Sequence, residues 1–279
     1  MHAAGVFILV FLTLLIVGVL FVLFLPACPP GYYLDRFYCV APASSLRTHT
    51  STWSDIFKAP AYIINIERSK ERYPKCVQRL QDVGYTNIHR YNGVDGKAVD
   101  LPTEWSKHYH TTHFRGGSYG LTGSPSEQGC MLSWLGVLKQ IATGDAPVCT
   151  VFEDDAVFHP RFTELAETYY NATPSDYDCI YLGFLSAFVM GTNPVVRAPC
   201  YCTHALVITS KGAQRMYDAL TQAPVLHSVD GMLFDYQSTL SCPFKHYCWN
   251  YREPNYIFRG YKGLVYQDKT YASTIQGVK

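Results

Sequence analysis

Short apolar runs alternate with segments of helical period along most of this chain. The apolar runs predict strands at Ala61–Ile66, Ile88–Tyr91, Val148–Phe152, Cys179–Leu182 and Ala205–Ile208. Between them, apolar residues recur at the spacing of an amphipathic helix. Strands and helices that take turns in this way predict an α/β domain over residues 59–279. We expect a mainly parallel central sheet with helices on both faces.

The best-specified helix begins near residue 124. Ser124 is suited to the N-cap, Pro125 to the first helical position, and Glu127 to the reciprocal contact of a capping box. Apolar residues follow at helical spacing until Gly144 ends the segment: Met131, Leu132, Leu135, Leu138 and Ile141. Three further helices are predicted at Cys76–Val83, Ser210–Leu220 and Val229–Ser238, with Ser210 as the cap of the second.

The first 58 residues differ in composition from the predicted domain that follows them. Residues 5–25 are an apolar run of 21 residues, and no charged residue precedes Asp35. This length spans a bilayer as a helix. A cleaved signal peptide normally has a shorter apolar region behind basic residues, so the pattern favours a transmembrane anchor. Residues 26–58 are rich in Pro, Ser and Thr and predict a stem before the domain.

The net charge bears on whether the protein binds nucleic acid, and the cysteines bear on the compartment in which it folds. The formal net charge of +1 lacks the basic excess of proteins that bind nucleic acid. Six of the 10 cysteines lie in loop-like segments and predict disulfides of undetermined connectivity: Cys28, Cys39, Cys200, Cys202, Cys242 and Cys248. Together with the Asn171 sequon, they favour a domain in the Golgi or ER lumen, or outside the cell. Arg36 and Arg47, which follow the anchor, favour the opposite orientation.

Three consecutive acids follow the predicted strand Val148–Phe152. Glu153, Asp154 and Asp155 repel one another unless a cation or hydrogen-bond donors compensate their charge. Ligands of open α/β sheets sit at the carboxyl ends of strands, and carboxylates there suit Mg²⁺ or Mn²⁺ with substrate phosphates. The functional interpretation is a metal–diphosphate site, and the competing interpretation is a solvated acidic turn.

These segments, taken in order, resemble glycosyltransferase family 25, the lipopolysaccharide-type and procollagen-type galactosyltransferases. The resemblance covers about Ala61 to Thr274. Its motifs are Tyr62–Arg72, Tyr91–Gly96, Glu127–Ser133, Phe152–Asp155, Asp178–Gly183, Val229–Asp230, and Val265–Gln267 followed by Ser273–Ile275. One position departs from the family, because Trp134 stands where its members have His.

The resemblance implies a GT-A fold and transfer of galactose or glucose, with inversion, from a UDP-sugar to a hydroxyl of a glycan, protein or lipid. It also implies Mn²⁺, or Mg²⁺, bound by Asp155 with Asp154. Glu153 and Asp154 would contact metal-bound water or the ribose. Gln267 would close over the donor.

Other site residues have two interpretations each. Arg68 and Arg72, four residues apart, are candidates to clamp the diphosphate, or form a solvated helix start. Asn65 would contact the nucleotide or cap the turn that follows it. Asp230 would act as the catalytic base or as an N-cap. Trp134 would stack on the acceptor or mark altered activity.

Three weaker candidates and two other functions stay open. Glu127 is interpreted as a capping-box residue alone, and His204 and His227 as possible extra metal ligands or structural residues. A sugar-binding or scaffold protein that retains the fold without catalysis is one alternative. A metal-dependent phosphohydrolase is another, but it usually needs more His and Asp clusters than this sequence contains.

Overall fold

A seven-stranded mixed sheet forms the centre of the domain. The structure is a computed structural model that describes residues 33–35, 38–40, 51–106, 123–185, 193–223, 228–239, 241–252, 261–268 and 270. In chain order its strands are β1 (Tyr33–Asp35), β2 (Tyr38–Val40), β3 (Ala61–Asn65), β4 (Ile88–Asn92), β5 (Val148–Glu153), β6 (Ala156–Phe158), β7 (Cys179–Tyr181), β8 (Gly183–Leu185), β9 (Val195–Val196), β10 (Ala205–Thr209), β11 (His246–Trp249), β12 (Tyr261–Gly263) and β13 (Val265–Gln267).

Seven described α-helices accompany these strands. They are α1 (Trp53–Lys58), α2 (Arg72–Asp82), α3 (Leu101–Ser106), α4 (Pro125–Thr143), α5 (Phe162–Asn171), α6 (Ser210–Gln222) and α7 (Val229–Gln237). A 3₁₀ turn at Glu67–Ser69 connects β3 to α2.

The strand order in the central sheet is β4-β3-β5-β10-β7-β11-β9. The pairs β4–β3, β3–β5 and β7–β11 are parallel. β10 runs antiparallel to both of its neighbours, and β9 runs antiparallel to β11. Five of the seven strands therefore share one direction, which confirms the predicted α/β class and mainly parallel sheet. Three two-stranded pairs complete the strands: β1–β2, β12–β8 and β13–β6.

Helices cover both faces of the sheet because the strands are apolar on both faces. In β5, Val151 packs into one core with apolar residues of α4, α6 and α7. The next residue, Phe152, points to the opposite face and packs with residues of α1, α2 and α5. A buried strand of this kind has no polar face, so its sequence is a continuous apolar run.

The folded domain begins before residue 59, inside the predicted stem. Trp53 and Ile56 of α1 are buried in the core. The ring of Trp53 lies 5.0 Å from that of Trp249 and 6.0 Å from that of Phe162, between centroids. The domain thus begins at least one helix before the predicted boundary at residue 58. Helix α1 has only six residues, too few to show a helical period in the sequence.

The predicted anchor at residues 5–25 lies outside the described residues. Among the helices that the structure does describe, none combines the length and the apolar character needed to cross a bilayer.

Side-chain caps specify the starts of α4 and α6. Ser124 and Glu127 form the predicted capping box of α4: the Ser124 backbone N–H donates to Glu127 Oε2 at 2.7 Å, and the Glu127 N–H donates to Ser124 Oγ at 3.3 Å. The cap of α6 is Thr209 rather than Ser210, since Thr209 Oγ1 accepts from the Gly212 N–H at 2.9 Å.

The disulfide among the described residues joins two cysteines that are far apart in the sequence. Cys200 is joined to Cys248 across 48 residues, and Cys242 is a free thiol. Cys28 lies outside the described residues. The disulfide attaches the chain before β10 to strand β11, at the far side of the sheet.

We expect acid to destabilise this domain through buried His246. Burial, followed by the nearby Arg197 charge, lowers the pKa of His246 from its ordinary value of 6.5 to about 3. Its Nε2 lies 3.1 Å from the Ala198 carbonyl oxygen. The folded state therefore keeps His246 neutral while the unfolded chain takes up a proton. This contribution to stability is complete above pH 6.5 and falls as the pH drops toward 3.

The measurement is the free energy of unfolding at pH 7 and pH 5, for the wild type and for His246→Gln. The wild type should lose about 2 kcal/mol more than the variant over this interval. Carboxyl groups with raised pKa act in the opposite direction, but they are common to both proteins. Equal losses in the two proteins would show that His246 is protonated in the fold.

Candidate functional site

Two parallel strands deliver polar residues to one edge of the sheet. β3 ends at Asn65 and β5 ends at Glu153, so their carboxyl ends lie side by side. Asn65 is buried, and its Nδ2 donates to Asp154 Oδ2 at 2.6 Å and to the Ser69 carbonyl at 2.9 Å. Arg90 Nε donates to Asn65 Oδ1 at 3.0 Å. Asn65 therefore supports the turn and orients Asp154.

A cleft lies at this edge and opens to solvent. Its walls come from the ends of β3 and β5, the start of α2, the loop after β4, the first turns of α4, and β13. The lining residues are Ile64, Ile66, Arg68, Arg72, Val94, Asp95, Gly96, Ser126, Cys130, Ser133, Glu153, Asp154, Asp155 and Gln267. Most of the residues expected at the donor site line this one cleft.

One wall is the loop Gly93–Gly96, which packs tightly against α4. The Val94 N–H donates to Ser133 Oγ at 2.8 Å, and Ser133 Oγ donates to the Gly129 carbonyl at 2.7 Å. A Cβ atom on Gly96 would lie 1.7 Å from the Pro125 carbonyl oxygen. Since only glycine fits this approach, the Val-Asp-Gly segment fixes the loop on the helix start.

Two arginines enter the cleft from the chain after β3. Arg68 forms a bidentate pair with Asp95, through Nε to Oδ2 at 2.7 Å and Nη2 to Oδ1 at 3.1 Å. This pairing lowers the pKa of Asp95. Arg72 Nη1 lies 3.7 Å from Asp154 Oδ1. Both guanidiniums are thus held beside the acids, where an anionic ligand would meet two positive charges.

The three acids are held differently from one another. Asp154 is oriented by Asn65 and Arg72, whereas Asp155 Oδ1 is buried and has no hydrogen-bond partner among the described residues. Desolvation by the surrounding protein, followed by repulsion from Asp154, raises the pKa of Asp155 to about 7. Desolvation also raises the pKa of Glu153, and Asp155 and Asp230 add to the rise.

Glu153 is linked to Asp230 through one hydroxyl group. Thr203 Oγ1 lies 2.9 Å from Glu153 Oε1 and 2.7 Å from Asp230 Oδ1. Gln267 Nε2 donates to the other Glu153 oxygen, Oε2, at 3.4 Å. Asp230 itself does not line the cleft but lies one residue behind it, and desolvation raises the pKa of its carboxyl.

Asp230 is not the N-cap of α7. That position belongs to Ser228, whose Oγ accepts from the Gly231 N–H at 3.3 Å. The capping interpretation of Asp230 is therefore wrong, and its carboxyl faces Thr203 instead. Thr203 was not predicted as a site residue, because an isolated Thr between Cys and His carries no recognisable pattern.

Two sequence candidates lie in the core rather than in the cleft. Trp134 is fully buried and packs with the apolar residues of α4 and the sheet, so it is not available to stack on an acceptor as expected. His204 is also fully buried, and its Nε2 lies 2.9 Å from the Val265 carbonyl oxygen. Burial lowers its pKa to about 4. His227 lies outside the described residues.

The cleft suits a divalent cation that arrives with a ligand. Among the described residues, no three His, Cys, Asp or Glu side chains form a group able to hold a metal ion. Mg²⁺ and Mn²⁺, however, often bind through one or two carboxylates and complete their coordination with phosphate oxygens and water. The buried Asp155 oxygen, which lacks a partner in the part of the chain that the structure describes, and the crowding of three acids fit such a cation.

Comparison with known proteins gives one family and several distant structures. Residues 58–196 match the model of glycosyltransferase family 25 (LPS biosynthesis protein). A search of curated proteins gave no match. The glycosyltransferase GlyE of Streptococcus pneumoniae TIGR4 is 9% identical, with a TM-score of 0.36, over 68% of this chain and 45% of its own. The chain thus spans less than half the length of GlyE.

A second structure is a glycosyltransferase involved in the glycosylation of the major capsid of PBCV-1. It is 6% identical, with a TM-score of 0.34, over 60% of this chain and 68% of its own. The family match includes both arginines, the Gly93–Gly96 loop and the three acids, which is all of the described cleft except Gln267. On this match, the chain belongs to glycosyltransferase family 25.

Proposed function

We propose that the protein transfers a hexose, galactose or glucose, from a UDP-sugar to an acceptor hydroxyl, with inversion at the anomeric carbon. The observation that carries the proposal is a buried carboxylate oxygen of Asp155 that has no hydrogen-bond partner among the described residues, in a cleft that also contains Arg68 and Arg72. Carboxylates and guanidiniums that face one open cleft suit a diphosphate with its cation. The family match supports the reaction type.

In this proposal, different residues of the cleft bind the cation, the phosphates and the donor sugar nucleotide. Asp155 would bind the cation, and Asp154, held by Asn65 and Arg72, would bind it directly or through water. When bound there, Mn²⁺ or Mg²⁺ would supply Lewis-acid stabilisation of the leaving diphosphate. Arg68 and Arg72 would bind the phosphate oxygens, and Gln267 would cover the donor. These groups act on charge that develops in the transition state, where preorganised dipoles and charges contribute most.

Asp230 would accept the proton of the acceptor hydroxyl. The residue is half-buried, and its carboxyl is joined to the cleft through Thr203 and Glu153. Desolvation raises its pKa, so as an ionised group it is a stronger base than an ordinary aspartate.

A nucleotide-sugar screen tests the function. Thermal unfolding is measured with UDP-galactose, UDP-glucose, GDP- and CMP-sugars, each with Mn²⁺ and with EDTA. A UDP-sugar at about 100 times its Kd should add about 2.7 kcal/mol of stability in the presence of Mn²⁺. Slow release of UDP from the same donor would accompany it. Binding without release would favour the alternative of an inactive sugar-binding or scaffold protein.

The burial of Trp134 weakens that alternative. The departure from the family at this position suggested lost or altered catalysis, but Trp134 belongs to the core of α4 and the sheet. The cleft itself retains its acids and arginines.

We further propose that residues 5–25 anchor the protein in a membrane with the domain on the lumenal or outer side. The Cys200–Cys248 disulfide suits an oxidising compartment. In sealed vesicles, protease added outside should leave the domain intact until detergent opens the membrane. Digestion from the cytosolic side of intact vesicles would place the domain in the cytosol.

A further inference from the structure

Thr203 occupies a buried position between two carboxyl groups. Its side chain is 1% exposed, and its single hydroxyl contacts Glu153 Oε1 and Asp230 Oδ1. Glu153 ends β5, next to the acids of the cleft, whereas Asp230 lies in the first turn of α7. The hydroxyl of Thr203 therefore joins the strand that carries the acids to the helix that carries Asp230.

The backbone before Thr203 is unusually constrained. Cys202 has φ of 77°, the left-handed region that residues other than glycine rarely adopt. The preceding residue, Tyr201, exchanges two backbone hydrogen bonds with Leu185, at 3.0 and 3.1 Å. Cys200 is bound to Cys248 by the disulfide. Strain of this kind persists where the surroundings enforce it and is concentrated at functional sites.

The attachments of residues 200–202 determine where the side chain of Thr203 lies. The segment is attached to β8 at Tyr201 and to β11 at Cys200, and it must still enter β10 at Ala205. The left-handed turn at Cys202 lies between these attachments and the side chain of Thr203. The fold thus uses strained backbone, a disulfide and a strand bridge to place one hydroxyl between Glu153 and Asp230.

We propose that Thr203 is a positioning residue for sugar transfer, and that it acts through Asp230. The proposal rests on the proposed function. A hydroxyl hydrogen bond to Oδ1 fixes the rotation of the Asp230 carboxyl about its χ2 axis and leaves Oδ2 to receive the acceptor proton. Because the described hydrogen bonds of the Thr203 hydroxyl reach the cleft lining at Glu153 alone, its removal should leave donor binding nearly unchanged while the proton-transfer geometry is lost.

The variants are Thr203→Val, which keeps the shape but removes the hydroxyl, and Thr203→Ser, which keeps the hydroxyl. We expect Thr203→Val to lower kcat by about 10- to 100-fold, the scale of a small misplacement of a reacting group. Thr203→Ser should recover most of this rate. The Kd of UDP with Mn²⁺, measured by calorimetry, should change less than about twofold in either variant, because the hydroxyl reaches the donor side only through Glu153, whose carboxyl stays in place.

A double-mutant cycle separates positioning from general stability. In an Asp230→Asn background, Thr203→Val should lower kcat little further, since the group it orients no longer takes a proton. Equal rate losses in both backgrounds would overturn the proposal. A wild-type kcat in Thr203→Val, or a Ser variant as slow as the Val variant, would overturn it as well. Failure of the proposed function is distinguishable, because the wild type would then show no transfer at all.

Discussion

Replacing Asp155 by Asn is expected to lower the rate of sugar transfer by about 10²- to 10⁴-fold, the scale of several kcal/mol of Lewis-acid stabilisation. Asn keeps the shape of the side chain but removes the charge. Asp155 Oδ1 is buried without a hydrogen-bond partner in the described part of the chain. Because a buried, uncompensated negative charge is unfavourable, a bound cation would stabilise it. The affinity for Mn²⁺ and the affinity for the UDP-sugar should fall together.

The same variant should be more stable than the wild type when no metal is present. Asp155 is crowded by Asp154, and desolvation opposes its charge, so removal of the charge relieves both effects. We therefore expect a higher Tm in EDTA, together with loss of the stabilisation that Mn²⁺ and donor give to the wild type. A loss of activity caused by misfolding would instead lower the Tm.

The matched control is Asp154→Asn. Asp154 already accepts a hydrogen bond from Asn65 and faces Arg72, so part of its charge is compensated by the protein. Its replacement should reduce Mn²⁺ affinity less than that of Asp155. Full transfer activity in EDTA, or in Asp155→Asn, would exclude a metal-bridged diphosphate.

Replacing Asp230 by Asn is expected to lower kcat by about 10²- to 10⁴-fold with little change in the Kd of the donor. The amide oxygen of Asn still accepts the hydrogen bond from Thr203, so the surroundings stay in place while the proton acceptor is lost. Ser228, not Asp230, caps α7, and the Tm should therefore remain near that of the wild type.

Glu153→Gln is the comparison that tests the choice of base. Glu153 shares Thr203 with Asp230 and, unlike Asp230, lines the cleft. If Asp230 is the base, Glu153→Gln should retain a larger share of kcat than Asp230→Asn. A wild-type kcat in Asp230→Asn, combined with a large loss in Glu153→Gln, would transfer the role to Glu153.

Much of the site was predictable because it follows strand ends. An apolar run that ends in acids places them at the sheet edge whatever the rest of the fold, and the cleft contains Glu153, Asp154 and Asp155. Ser124 and Glu127 were predictable as a capping box because every contact in that motif is local. Arg68 and Arg72 followed from the resemblance to the family and lie in the same cleft.

Other assignments depended on contacts between distant parts of the chain. Trp134 was expected at the acceptor because a family position is occupied by a different residue, but the helix turns that position into the core. The antiparallel direction of β10 was not predictable, since an apolar run does not indicate whether a strand pairs parallel or antiparallel with its neighbours. The start of the domain was placed too late, because Trp53 is recognisable as a core residue only once Trp249 and Phe162 are beside it.

The sequence by itself determined the alternation of strands and helices, the capped start of α4 and the acids at the end of β5. Each of these depends on residues close in the chain, whose spacing sets periodicity, capping and the position of a strand end. The tertiary structure alone decided which acid is left without a partner, where Trp134 points and that Thr203 lies between Glu153 and Asp230. Those facts arise from side chains 27 to 89 residues apart, such as Thr203 with Asp230 and Asn65 with Asp154, and no local pattern encodes contacts of that range.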